Sequence, residues 1–117
     1  MATGRKIEKL IRADYEDYDI ILIRISDIQS VYTEATDNDY YVLIQQSSKG
    51  DNHSIFHSFP FGKRDGYNLF SFMSYICNKI NEAKKKTDDD FLLILKHRDN
   101  PKSYKDVYLL SEVMLVP

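Results

Sequence analysis

Residues 20–28, IILIRISDI, carry the densest apolar alternation in the chain. Ile21, Ile23 and Ile25 fall on one face of an extended segment and Ile20 and Leu22 on the other, so both faces begin apolar and one turns polar at Arg24 and Ser26. That pattern predicts a central strand beneath a large covering element. The strong helical periodicity lies at about residues 66–85, where Leu69, Met73, Ile76, Ile80 and Ala83 recur every three or four positions and Phe70, Phe72 and Cys77 widen the stripe. Asp65 is placed to cap this helix, and Lys79, Lys84, Lys85 and Lys86 gather near its end, where positive charge complements the helix dipole.

The remaining periodicity is that of short strands. Ser26 and Asp27 break the first alternation and predict a bend or bulge, after which a strand runs to about Thr33. The turn candidate TDND (residues 36–39) leads into YYVLIQQ (residues 40–46), with Tyr40, Val42 and Ile44 on one face. SSKGDN (residues 47–52) reads as a hairpin loop that returns residues 54–59 antiparallel, ending at or edged by Pro60. FLLILK (residues 91–96) predicts a second buried strand, and the turn at Asp99, Asn100 and Pro101 leads to a returning strand over residues 104–110. Residues 5–13, RKIEKLIRA, fit either a helix or an edge strand, with the strand preferred. DYEDYD (residues 14–19) reads as a polar connector, and residues 113–116 as a packed apolar tail.

These elements predict an α+β fold. The expected architecture is a single domain over residues 1–117, a curved antiparallel sheet or small β-barrel or roll of six to seven strands packed by one long amphipathic helix. A chain of 117 residues with 43% hydrophobic and 29% charged composition suits one such core and excludes disordered and membrane classes. The charged N-terminus lacks the apolar run of a secretory signal, which predicts a cytoplasmic protein. Cys77 is the only cysteine, so no internal disulfide or cysteine-built zinc site can form.

A net charge of −2 conceals an asymmetry. Residues 13–39 hold eight acids against Arg24 alone, whereas residues 79–105 hold eight bases against five acids. Nine tyrosines and no tryptophan accompany it, and tyrosine serves both strands and contact surfaces. Tyr15, Asp17, Tyr18, Asp19, Tyr32 and Tyr40, with Val113 and Leu115 of the tail, therefore form the candidate protein interface. The competing candidate is a nucleic-acid patch of Lys84, Lys85, Lys86, Lys96, Arg98, Lys102, Tyr104 and Lys105, in which bases supply charge and the tyrosine a stacking ring. A helix terminus explains its first three lysines equally well, and Asp88, Asp89 and Asp90 follow them directly.

Catalytic signatures are weak by comparison. His53 and His57 stand about 13 Å apart if both lie on one strand, too far to share a metal. His97 lies beside a turn, and Cys77 falls within the apolar stripe, where a thiol acts as a small hydrophobe. Asp37 and Asp39, and Asp88 to Asp90, occupy turns that use aspartate for backbone reasons and match no calcium loop. No phosphate-binding glycine motif, nucleophile elbow or zinc-protease helix occurs. The expected function is thus a non-catalytic interaction or assembly module without cofactor, metal, small-molecule substrate or membrane partner, with self-association as its specific form. Its alternatives are the nucleic-acid binder and an acidic-surface inhibitor of a nucleic-acid-binding partner. In outline, the succession of short strands, one amphipathic helix and two further strands is similar to pleckstrin-homology-like rolls and to small barrel-plus-helix proteins of phage connectors and tubes. The second likeness implies a virion or mobile-element structural or accessory protein.

Overall fold

A computed structural model describes residues 18–47, 53–86, 89–97 and 104–115. The chain enters on β1 (Tyr18–Arg24), turns through a 3-10 segment at Ile25–Asp27, and continues as β2 (Ile28–Ala35), β3 (Asp39–Ser47) and β4 (Ser54–Gly62). Helix α1 (Gly66–Lys84) follows, then β5 (Phe91–His97), β6 (Tyr104–Leu109) and a terminal helix α2 (Leu110–Leu115). The architecture is α+β, but the strands form two antiparallel three-stranded sheets, ordered β1-β5-β6 and β2-β3-β4. They do not close into the expected barrel. The sequence break at Ser26 and Asp27 is the reason: the 3-10 corner carries the chain out of one sheet and into the other, tied by the Ile25 amide to the Asp90 carbonyl at 2.9 Å.

The two sheets share one core through α1. Ile23 and Ile25, Val42 and Ile44, Phe59 and Phe61, Leu92 and Ile94, and Val107 and Leu109 all meet the helix stripe of Leu69, Phe72, Ile76, Ile80 and Ala83. Phe72 anchors the middle, edge-on to Phe59 at 5.3 Å and tilted to Phe61 at 5.5 Å between ring centroids. The helix was read closely, but Phe70 does not widen the stripe; it is 59% exposed.

The expected central strand is an edge. β1 pairs only with β5 among the described residues, and β5 takes the central position instead. Its alternation is as read, with Ile23 fully buried, but Ile20 and Leu22 remain 37% and 47% exposed on the outer face. That face is covered beside them, where Val113 of α2 packs on Leu93 and Leu95 with Tyr18 and Tyr108. The apolar tail packs there as a helix. Its first turn is capped from two sides: Asp90, outside the helix, accepts the Ser111 amide and hydroxyl, and Glu112 of the helix itself reaches back to accept the Leu109 amide at 3.1 Å. Residues 5–13, the SSKGDN loop apart from Ser47, and the Asp99–Asn100–Pro101 turn lie outside the described residues.

Candidate interaction site

The turn between β4 and α1 borders a concavity on the described surface. Lys63 and Arg64 reverse the chain, the Asp65 amide donates to the Gly62 carbonyl at 2.9 Å, and the Leu69 amide begins the helix on the Asp65 carbonyl. The Asp65 side chain makes no capping bond. A Cβ on Gly62 would stand 3.3 Å from the Asp65 carboxylate, so the small residue permits the tight reversal. Facing this turn is the end of the β2–β3 hairpin, closed at Thr36, whose amide and hydroxyl both donate to the Asp39 carbonyl.

Between them runs a groove of about 590 Å³. Thr33, Glu34 and Ala35 form one wall, Tyr40 lies at the base, and Lys63, Gly66, Leu69 and Phe70 form the other. Tyr40 packs its ring on the main core, and Leu69 is buried, so the groove floor is an extension of that core reaching the surface. Phe70 and, one turn earlier, Tyr67 stand beside it at 59% and 85% exposure. These two rings thus leave aromatic surface in water near the apolar concavity.

A second hollow, of about 460 Å³, lies at the other end of α1, lined by Ile25, Ser26, Ala83, Lys84, Lys86, Asp89 and Asp90. Its polar groups serve one another. Asp89 accepts from Ser26 at 3.1 Å and from Arg24 at 3.4 Å, and Lys86 donates to Ser111 at 3.2 Å while standing 3.9 Å from Asp90. This is a structural corner that joins β1, β5 and α2.

No known protein family, curated protein or solved structure matches this chain.

The sequence-derived interface residues do not form one patch. Tyr18 and Val113 pack together in the outer cluster of the first sheet, with Val113 buried, and Asp19 is exposed on β1. Tyr32 and Tyr40 lie on opposite faces of the second sheet, Tyr32 opposite Leu43 and Tyr40 opposite Phe61. Only Tyr40 reaches the groove. Tyr15, Asp17 and the Leu115 side chain lie outside the described residues. Of the basic set, Lys84, Lys85 and Lys86 stay together at the end of α1, whereas Lys96 lies five residues into β5, about 17 Å along the strand from its start. There its ammonium reaches the Ser58 carbonyl at 3.5 Å and sits over the Phe59 ring at 5.8 Å. Arg98 and Lys102 and the side chains of Tyr104 and Lys105 lie outside the described residues.

His57 points inward and shares a 2.8 Å hydrogen bond with Gln46, and burial lowers its pKa. His53 is exposed at the entry to β4, and Cys77 is half-buried on α1. Among the described residues no three histidine, cysteine, aspartate or glutamate side chains gather as a metal site would require. No helix among them is long and apolar enough to cross a membrane.

Glu34, Lys63, Tyr67 and Phe70 were not singled out as site residues. For the two aromatics a signal exists: at about 100° per residue, Phe70 lies roughly 100° and Tyr67 roughly 160° around the helix from Leu69. An aromatic pair so far off the buried stripe has no internal surface to cover.

Proposed function

We propose that this chain is a non-catalytic interaction and assembly module that docks another protein surface in the groove at the head of α1. The exposure of Phe70 and Tyr67 beside an apolar floor carries the reading. Burying two such rings against a partner offers area at little entropic cost, since each has only two side-chain torsions to fix. The lining offers an aromatic base with charge only at its rim, a composition suited to holding an apolar side chain rather than to transferring protons or groups. Photocrosslinking tests it. Benzoylphenylalanine placed at position 67 is expected to give a discrete protein adduct in the expressing cell, whereas the same group at exposed Ser58, on the outer face of the second sheet, gives none. Equal labelling from both positions, or none from position 67, would contradict the reading.

A further inference from the structure

We infer that the open edge of β2 is completed by β2 of a second copy, the two strands running antiparallel about a two-fold axis at Thr33. The inference rests on the docking role proposed above and names the partner. The β2–β3 hairpin fixes which backbone groups the edge offers. The Thr36 amide donates to the Asp39 carbonyl at 2.8 Å, and bonded and unbonded pairs alternate along an antiparallel ladder. The register runs without a shift from Val31 to Ala35, so Val31, Thr33 and Ala35 turn their amides and carbonyls away from β3. Among the described residues no strand lies on that side. The opposite edge of the sheet is blunted: β4 carries Pro60, which has no amide hydrogen, and the Lys96 ammonium reaches the Ser58 carbonyl. From Val31 to Ala35, β2 has no proline, lysine or bulge. Thr33 and Ala35 stay exposed although, opposite Val42 and Tyr40, their side chains share the face that bears α1.

This edge fits itself. Its outward-turned residues are centred on Thr33, so antiparallel pairing there sets Thr33 opposite Thr33 and Val31 opposite Ala35, each pair exchanging both of its N–H···O bonds. The side chains match in the same register. Toward α1, the larger Val31 meets the small Ala35 and threonine meets threonine; on the outer face, the Tyr32 hydroxyl of each copy can donate to the Glu34 carboxylate of the other. A register shifted toward the hairpin end would set Glu34 directly against Glu34, which like-charge repulsion disfavours. The axis stands perpendicular to the sheet, so β4-β3-β2 of one copy continues into β2-β3-β4 of the other with both α1 helices on one face. The two grooves then merge over the seam, bordered by Phe70 and Tyr67 of both copies. The Lys63 walls, which follow Gly62 at the hairpin end opposite Asp39, go to opposite ends of the seam.

Sedimentation of variants at the axis tests this. The native chain is expected to move from one chain toward two as concentration rises. Thr33→Lys sets lysine against lysine and Thr33→Glu glutamate against glutamate, so each variant alone needs at least about tenfold higher concentration to associate. An equimolar mixture restores association to the native range, because lysine then meets glutamate across the axis, and that rescue shows that both variants fold. In the associated native chain the Thr33 amide is expected to exchange its hydrogen at least about tenfold more slowly than in the single chain. A mixture that associates no better than its components, or a Thr33 amide that exchanges equally fast in both states, would overturn the inference. So would a native chain that stays single up to millimolar concentration. If position 67 then crosslinks to a different protein, the second copy is excluded while the docking groove stands; if it crosslinks to nothing, both fall.

Discussion

Asp90 is the one buried charged side chain among the described residues, and its surroundings explain how a carboxylate is tolerated there. It accepts the Phe91 amide at 2.8 Å, the Ser111 amide at 3.1 Å and the Ser111 hydroxyl, with Lys86 3.9 Å away. Asp90→Ala leaves those donors buried without acceptors, and is expected to lower stability in urea denaturation by about 2–3 kcal/mol; Asp90→Asn, which keeps one carbonyl oxygen, costs less. Glu112 plays a related part, accepting from Lys79 at 2.6 Å and from the Leu109 amide. Burial pushes the Glu112 pKa up, but the hydrogen bonds from Lys79 and the Leu109 amide and the charges of Lys79 and Lys86 outweigh it, so the carboxyl sits below its ordinary 4.5. Burial pulls Lys79 down, yet the hydrogen bond and charge of Glu112, with Tyr75 and Glu82, hold it above 10.5. The signs follow from linkage. The contribution of Glu112 is complete above pH 4.5 and disappears as pH falls through its lower native value; that of Lys79 is complete below pH 10.5 and disappears as pH rises through its higher one. His57, lowered by burial from 6.5, favours unfolding as pH falls below that value. Glu112→Gln is therefore expected to lower the urea midpoint near neutrality and to flatten its decline below pH 4.5, whereas His57→Gln flattens it just below pH 6.5. A Glu112→Gln midpoint with the native dependence on pH would argue that the ion pair contributes nothing.

Helix α1 separates two roles along one element, and substitutions should separate them too. Ile76 is fully buried between the sheets, so Ile76→Ala is expected to cost about 2–5 kcal/mol in thermal or urea unfolding. Phe70→Ala should change stability by less than about 0.5 kcal/mol, since the ring lies mostly in water. A large loss of stability for Phe70→Ala would place that ring in the core and remove the reason for a docking surface. The helix was legible because its pattern is local: Leu69, Met73, Ile76, Ile80 and Ala83 repeat within the element itself. β1 was legible only in part. Its alternation correctly put Ile21 and Ile23 inside, but whether Ile20 and Leu22 were covered depended on strand order, which is set by pairing with β5 some seventy residues later. The tail was legible as packed apolar surface, but its helical form was not, as donors of its first turn are met by Asp90 from across the fold.

At the scale of the molecule, the break after Arg24 decides the architecture. It divides the strands into two sheets that clasp α1 from two sides, and the head of that helix is left beside the open end of the β2–β3 hairpin. Composition hinted at contact surfaces through tyrosine, and Tyr40 does reach the groove, but no count of residues could show that Thr33, Lys63 and Phe70 meet there. The groove exists only because the end of the β2–β3 hairpin and the head of α1, distant in sequence, come to the same place. Phe70→Asp, which sets a charge in the middle of this surface, is expected to abolish association in sedimentation while leaving the melting curve unchanged. Association that survives the substitution would move the contact elsewhere, for instance to the outer face of the first sheet beside Ile20 and Leu22. The most direct measurement is a dilution series of amide proton–nitrogen spectra of the native chain from millimolar to micromolar concentration. Resonances of Thr33, Glu34, Tyr40, Gly66 and Phe70 should shift together while those of Ser26, Asp89 and Ser111 stay fixed; unchanged groove resonances, or shifts confined to another face, would contradict it.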